Sequence, residues 1–373
     1  MEYITPLLYI GISQSFFAGI VIATKKPMTI ADRLMSALLF MICLEMIFAL
    51  INSTGLNMYS FPFITFTYGP LQYLYVLFIT QPQRKFNWFS LLHFIPFAGF
   101  FTVSVIFRAQ PLVGDLRIFM VPDKLFSLRI VYSISFFLSI TIYSVLTFFS
   151  IWKHQKNLKN LVSYSSGVMT LNWLKFLSIG FYVSYFILFI LGGLNIIGNY
   201  IPFDPYFIIF GFITIFSFAF SFYSIRQPVI FGQEALEYTE ERKEPERYSK
   251  SGLKDDQATD ILKSLIEVVE KEKVYLDRDL TIQNLSMRTG IPRHHITQVL
   301  NEKHGRNFFT FINEYRVNEV LRRFSDPKYN NYTILAIAFD SGFNSKTTFN
   351  SIFKSMTGKT PSQYRVEKTG IGQ

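Results

Sequence analysis

Seven stretches of roughly twenty mostly apolar residues fill the first 231 positions of this 373-residue chain, each about the length that a helix needs to cross a bilayer. They are Tyr3 to Thr24, Leu34 to Ile51, Phe61 to Thr80, Phe89 to Phe107, Leu125 to Trp152, Leu171 to Leu191 and Tyr206 to Ile225. The region holds only 14 basic and 6 acidic side chains, too few to keep so long a surface in water. A run of ~20 residues rising ~1.5 Å each as a helix matches the ~30 Å hydrocarbon core of a membrane. Lipid offers the backbone no partner, so each span must close its own hydrogen bonds as a helix. The shorter second span has an alternative as a buried or re-entrant helix, which would reverse the orientation argued next.

Basic residues alternate between the connections. Lys25, Lys26 and Arg33 lie between spans one and two, Arg84 and Lys85 follow span three, and Lys153, Lys156 and Lys159 follow span five. The connections after spans two and six hold none, and the one after span four holds Arg108, Arg117 and Lys124. With eight basic groups on one side against three on the other, the positive-inside rule puts the N-terminus outside and the C-terminus in the cytoplasm. Trp88, Trp152 and Trp173 each sit at a span end on the predicted inner side, where tryptophan favours the interface. Span one has no basic residue before it and Lys25-Lys26 after it, so it reads as a retained helix rather than a cleaved signal peptide. The expected location is therefore the cell's inner (cytoplasmic) membrane, crossed several times, with the lipid bilayer as a partner.

Ionisable groups inside spans are expensive and default to functional hypotheses. Glu45 and His93 are the candidates for signal sensing. For Glu45 a structural hydrogen bond is the more expected role, and His93 could fill the gap that Pro96 leaves in the backbone ladder. Arg129 and Lys175 lie near span ends and are expected to snorkel to the interface. Pro70 and Pro96 suggest kinks lining a cavity. The single cysteine, Cys43, excludes an intrachain disulfide framework and a thiolate zinc cluster.

Past Gly232 the composition changes. Residues 232–256 hold 5 basic and 8 acidic groups and read as a short charged helix and linker, with Pro245 and Gly252 as breakers. Thr259 to Val274 is amphipathic, with Ile261, Leu262, Leu265, Ile266 and Val269 at helical spacing. From Thr281 to Arg365 one helix-turn-helix pattern is then written twice. The first copy runs Ile282, Leu285, Ser286, a turn at Gly290-Ile291, then Ile296, Val299, Leu300. The second runs Ile334, Ile337, Ala338, a turn at Gly342-Phe343, then Phe349, Ile352, Phe353. Each triplet has the i, i+3, i+4 spacing of one helix face.

Punctuation agrees. Thr281, Thr333 and Ser345 can cap helices, and Pro292 can open one. Gly290 and Gly342 stand where a helix reverses through a left-handed conformation that costs a residue with Cβ roughly 1–2 kcal/mol. With the triplets inward, the second helix of the first copy turns Arg293, His294, Thr297, Gln298 and Asn301 outward, and that of the second copy turns Lys346, Thr347, Asn350, Ser351 and Lys354 outward. Amides, hydroxyls and cations on one helix face suit base edges and phosphates of double-stranded DNA. An ordinary surface helix is also polar outside, but the duplication argues against that reading. Asn307 to Phe324 reads as one connecting helix, with Phe308, Phe311, Ile312, Tyr315, Val320 and Leu321 available for packing. At roughly 27 Å it could space two recognition helices about one DNA turn apart. Its Arg322-Arg323 pair would lie near phosphates or in solvent.

These residues carry a resemblance to the DNA-binding domain of AraC/XylS-type transcription regulators, over roughly the last third of the chain. The most specific part is Gly342-Phe343-Asn344-Ser345, Phe349, Phe353-Lys354, Gly358 and Thr360-Pro361-Ser362-Gln363-Tyr364-Arg365. The chain departs from the family at Ser286 and Val320, where alanine is usual, and at Pro292, where a serine cap is usual.

The expected architecture is all-α: a bundle of about seven transmembrane helices over 1–231, a charged linker over 232–256, and a double helix-turn-helix domain over 257–373. The expected function is a membrane-embedded transcription regulator responding to an unknown small-molecule or membrane signal, with a homodimer carried as an assumption. The alternative is a receptor whose C-terminal domain binds a protein partner. An enzyme or transporter lacks support, since no HExxH, GxSxG, Walker or GxGxxG motif occurs and His294 and His295 point to different helix faces. No metal or cofactor is expected. Residues 257–373, with 17 basic and 12 acidic groups, are expected to fold as a soluble, DNA-binding domain on their own.

Overall fold

The computed structural model describes residues 4–53, 63–81, 84–106, 122–164, 169–198, 205–227, 253 and 255–369. Among these, every regular element is a helix, apart from one isolated antiparallel bridge between Val162 and Thr281. The chain divides into two compact units, Met1–Trp152 with Leu171–Ile230, and Lys153–Thr170 with Phe231–Gln373. The second unit thus takes in a segment that the sequence assigned to the membrane half. Nearly all of the expected linker, 232–256, lies outside the described residues.

In the first unit the α-helices are α1 (Thr5–Ala23), α2 (Ile30–Ser53), α3 (Tyr68–Thr80), α4 (Ile95–Ile106), α5 (Phe126–Leu158), whose end past Trp152 belongs to the second unit, α6 (Asn172–Gly198) and α7 (Pro205–Arg226). Among the described residues six stretches are long and apolar enough to cross a membrane: Thr5–Ala23, Ile30–Ile51, Trp88–Ile106, Phe126–Leu158, Asn172–Leu194 and Ile208–Arg226. The remaining expected span is shorter, a 3₁₀ turn over Ile64–Thr67 leading into α3. At ~2.0 and ~1.5 Å per residue the two together reach roughly 28 Å, and they form the most enclosed part of the unit.

Pro70 and Pro96 do not kink helices midway. Each stands in the first turn of its α-helix, just after a 3₁₀ stretch, where a missing N–H leaves nothing unpaired. An open apolar pocket of about 330 Å³ lies beside both, lined by Ala37, Met41, Thr67, Leu71, Ile95 and Ala98 among others. α5 runs six residues past the expected end at Trp152, and its 33 residues span roughly 50 Å, more than a bilayer core needs.

Polar groups inside this unit find partners across helices, as they must where water is excluded. Gln72 donates to Ser178 (2.7 Å), Gln14 to Ser221 (2.7 Å), and Ser36 to the Gly19 carbonyl (2.9 Å). Arg129 does not snorkel as a lone cation, because its guanidinium holds Asp123 with two hydrogen bonds, 2.7 and 3.0 Å long. Lys175 lies over the Phe148 ring. The outer surface is apolar: Phe89 and Phe176 are each 73% exposed, and Ile95, Ile134, Val145 and Ile215 also face outward.

The second unit holds α8 (Asp255–Lys271), α9 (Ile282–Thr289), α10 (Arg293–Glu302), α11 (Phe308–Phe324), α12 (Ile334–Asp340), α13 (Lys346–Thr357) and α14 (Pro361–Thr369). α11 is its axis, touching α10, α12, α13 and α14, while α8 packs on α9 and α10. Val317, Val320 and Phe324 of α11 meet Ile337, Ala338, Phe343, Phe349 and Phe353 in one buried cluster. Val320, a departure from the family pattern, is wholly buried there.

Candidate nucleic-acid interface

The two helix-turn-helix units are built as their cap residues dictate. The Thr281 hydroxyl accepts from Asn284 N–H (3.1 Å) while the Asn284 side chain accepts from Thr281 N–H (2.9 Å), a reciprocal pair that satisfies two donors at the start of α9. Thr333 caps α12 through Ala336 N–H, Ser345 caps α13 through Thr348 N–H, and Pro292 occupies the residue before α10. Ser286 replaces packing by bonding: its hydroxyl donates to the Ile291 carbonyl across the turn (2.7 Å). The turn glycines differ. Gly290 has φ +69° and open space where a Cβ would stand, whereas Gly342 has φ +94° and a Cβ there would lie 2.1 Å from the Tyr275 carbonyl oxygen.

On α13 the expected face is free: Lys346, Thr347, Asn350, Ser351 and Lys354 are all exposed, while Phe349 and Phe353 are buried behind them. On α10 the expectation needs correction. His294 and Asn301 are exposed and Arg293 is half-buried, but Thr297 and Gln298 are only 2% and 6% exposed. Five consecutive residues, Ile296 to Leu300, are buried, which encloses the whole circumference of the helix at that turn. Neighbours on several sides, α8, α9 and α11, leave less free face than a period of 3.6 alone suggests. The Thr297 hydroxyl bonds the Arg293 carbonyl and the Gln298 amide bonds Glu302, so both side chains are turned along their own helix.

Arg322 and Arg323 are not loose cations either. Glu319, buried on α11, accepts from both, at 2.7 and 2.9 Å from Arg322 and 2.7 Å from Arg323, and Arg323 also lies over Tyr329. The Arg322 and Arg323 hydrogen bonds outweigh burial and hold the Glu319 carboxyl at about 2, against an ordinary 4.5. A depressed carboxylate contributes stability above its unfolded value and loses it as pH falls through the folded one. Glu319→Gln should therefore destabilise the second unit by about 1–2 kcal/mol at pH 7, with the difference shrinking between pH ~4.5 and ~2. Hydrogen exchange of α11 amides in both proteins across that window checks the outcome.

Two clamps escaped the sequence reading. Arg365 is buried and donates to the carbonyls of Tyr332 (2.7 Å), Asn330 (2.8 Å) and Tyr329 (3.1 Å), pinning α14 to the turn before α12. Arg316, 1% exposed, donates to the carbonyls of Tyr275 (2.8 Å), Asp277 (2.6 Å) and Ser163 (2.7 Å) and to the Ser163 hydroxyl (2.9 Å). Burial lowers its guanidinium to about 10, which leaves it charged at neutral pH. Its partners are mostly backbone carbonyls, which carry no sequence signal. Residues 257–373 are therefore not the whole of their folded unit, because Ser163 lies far upstream.

Of the sensing candidates, Glu45 accepts from the Tyr68 hydroxyl and His93 bonds Tyr143 through Nδ1 (3.0 Å). They belong to separate networks, and neither lines the apolar pocket. Among the described residues no group of His, Cys, Asp or Glu could hold a metal ion.

Two helix-turn-helix units joined by one buried helix define the class of this domain. Residues 285–367 match the family model described as a helix-turn-helix domain, and the C-terminal part of the chain is a helix-turn-helix domain of the AraC/XylS type. Uncharacterized HTH-type transcriptional regulators of Staphylococcus aureus strains COL, MSSA476 and N315 are each 30% identical over 105 residues, 28% of this chain and 14% of their own length. The chain thus spans about one-seventh of the length of the curated relatives it matches. No solved structure matches it.

Proposed function

We propose that the protein is a membrane-embedded, sequence-specific DNA-binding transcription regulator. The observation that carries this reading is the exposed polar and basic face of α13 on a doubled helix-turn-helix domain. Lys346, Thr347 and Asn350 are the base-reading candidates, with Ser351 and Lys354 beside them. On the first unit Arg293, His294 and Asn301 have access to DNA, while Thr297 and Gln298 would need α10 to be uncovered. One subunit carries two recognition helices, so reading DNA needs no second copy, although a homodimer would lengthen the site. Retention of duplexes from a random library by the full-length protein in detergent tests the reading. Enrichment of one sequence supports it, and no retention at low salt defeats it.

Embedding is supported by the six long apolar helices and by the apolar side chains that cover their outside. Such a surface would drive aggregation in water and matches lipid tails instead. The basic-residue alternation puts the C-terminal domain in the cytoplasm. A reporter fused after Ile225 should therefore be cytoplasmic and one inserted at Asn57 external, and finding both on one side would overturn the span count. The membrane half is proposed as the sensor, with Glu45 and His93 as candidate polar groups and the apolar pocket beside Pro70 and Pro96 suited to an apolar ligand.

A further inference from the structure

Lys159 to Tyr164 follow α5 in the connection to α6, yet they are built into the second unit. The Lys159 carbonyl accepts from Phe309 N–H (3.0 Å), in the first turn of α11. The Leu161 carbonyl accepts from Ile282 N–H (2.9 Å), the first residue of α9, and the Ser163 N–H and hydroxyl both donate to the Leu280 carbonyl (3.2 and 2.7 Å). The Ser163 carbonyl accepts from Asn313 (2.9 Å) and Arg316 (2.7 Å), and its hydroxyl accepts from Arg316 (2.9 Å). Asn160, Leu161, Val162 and Ser163 are all buried. The segment thus supplies acceptors to orphan donors in the first turns of two helices, and to the buried Arg316 guanidinium.

Arg316 is where this matters. Its Nε bonds the carbonyl of Tyr275, before the first helix-turn-helix, and lies 2.9 Å from where a Cβ on Gly342 would stand, at the turn of the second. One side chain therefore touches the approaches to both units, and Ser163 supplies two of its oxygens. Upstream, α5 is a single unbroken helix from Phe126 to Leu158.

We propose that Lys159–Tyr164 is a coupling latch: seated, it holds the two helix-turn-helix units in the arrangement that reads DNA; unseated, it loosens them. This rests on the DNA-binding reading above. The latch is discrete, because withdrawal takes from the buried Arg316 and Asn313 the Ser163 oxygens they bond, a loss that their remaining partners do not make good, so the segment has a seated and an unseated state rather than a continuum. A change at α5 in the membrane reaches it through helical backbone alone. Because coupling is reciprocal, DNA that favours the seated arrangement must also favour the seated latch.

The test uses full-length protein in nanodiscs, a duplex enriched from the random library, and a scrambled duplex of the same composition. Hydrogen exchange is read at three amides: Ile282 and Phe309, which donate to the latch, and Ser163, through which the latch donates to the Leu280 carbonyl. The enriched duplex should slow all three roughly tenfold relative to the scrambled one, and Ser163→Ala should weaken the enriched duplex roughly fivefold while leaving the scrambled one unchanged. If Ser163→Ala does not fold, the wild-type exchange decides alone. Retention of the enriched duplex with no change at the three amides overturns the latch and leaves the DNA reading standing. Failure to retain any duplex removes both.

Discussion

Gly342→Ala should unfold the second helix-turn-helix. At φ +94° an alanine is strained by roughly 1–2 kcal/mol before any contact is considered. Its Cβ would then stand 2.1 Å from the Tyr275 carbonyl oxygen and 3.1 Å from Leu276 Cα, both backbone atoms that no rotamer change can move. The same displacement pushes on Arg316, which is buried with its hydrogen bonds made. The expected loss exceeds about 4 kcal/mol, which belongs to the small class of severe single substitutions. Gly290→Ala provides the contrast, since its Cβ meets nothing within 4 Å and only the conformational term of roughly 1–2 kcal/mol remains. Hydrogen exchange of α11 to α13 amides in the full-length protein separates the two, with broad loss of protection expected for the first and near-normal protection for the second.

The second large effect is on recognition. Asn350 is exposed on α13, one position past the buried Phe349, and an amide can pair both the N6 and N7 edges of adenine. Asn350→Ala should cost about 1–3 kcal/mol on the enriched duplex and little on a scrambled one. Titration of both duplexes at one fixed salt concentration measures this, and equal losses on the two would remove Asn350 from base reading.

The doubled helix-turn-helix was legible because its signals are local: apolar triplets at helical spacing, hydroxyl caps one residue ahead, glycines at the reversals. Thr281, Thr333, Ser345 and Gly342 do what their positions implied. The long apolar helices were legible from composition, although α3 is shorter than expected and α5 longer, because apolar length does not register where a helix continues as a polar one. What stayed hidden depends on tertiary neighbours. Periodicity put Thr297 and Gln298 outside, but periodicity reports only which face is apolar, and α10 is covered on more than that face. Arg322 and Arg323 looked available for phosphate until Glu319, three and four residues earlier, proved to hold both. Arg316 and Ser163 are 153 residues apart and meet largely through backbone carbonyls, so no spacing pattern could announce them.

The central claim, that a protein anchored in the membrane reads DNA through α13, is tested most directly in cells. Formaldehyde crosslinking of the full-length protein, isolation of washed membranes and sequencing of the DNA that remains attached should recover a small set of sites sharing one sequence, and Asn350→Ala should lose that set while staying in the membrane. Recovery of DNA without any shared sequence, or of the same sites with Asn350→Ala as with the wild type, would contradict the account.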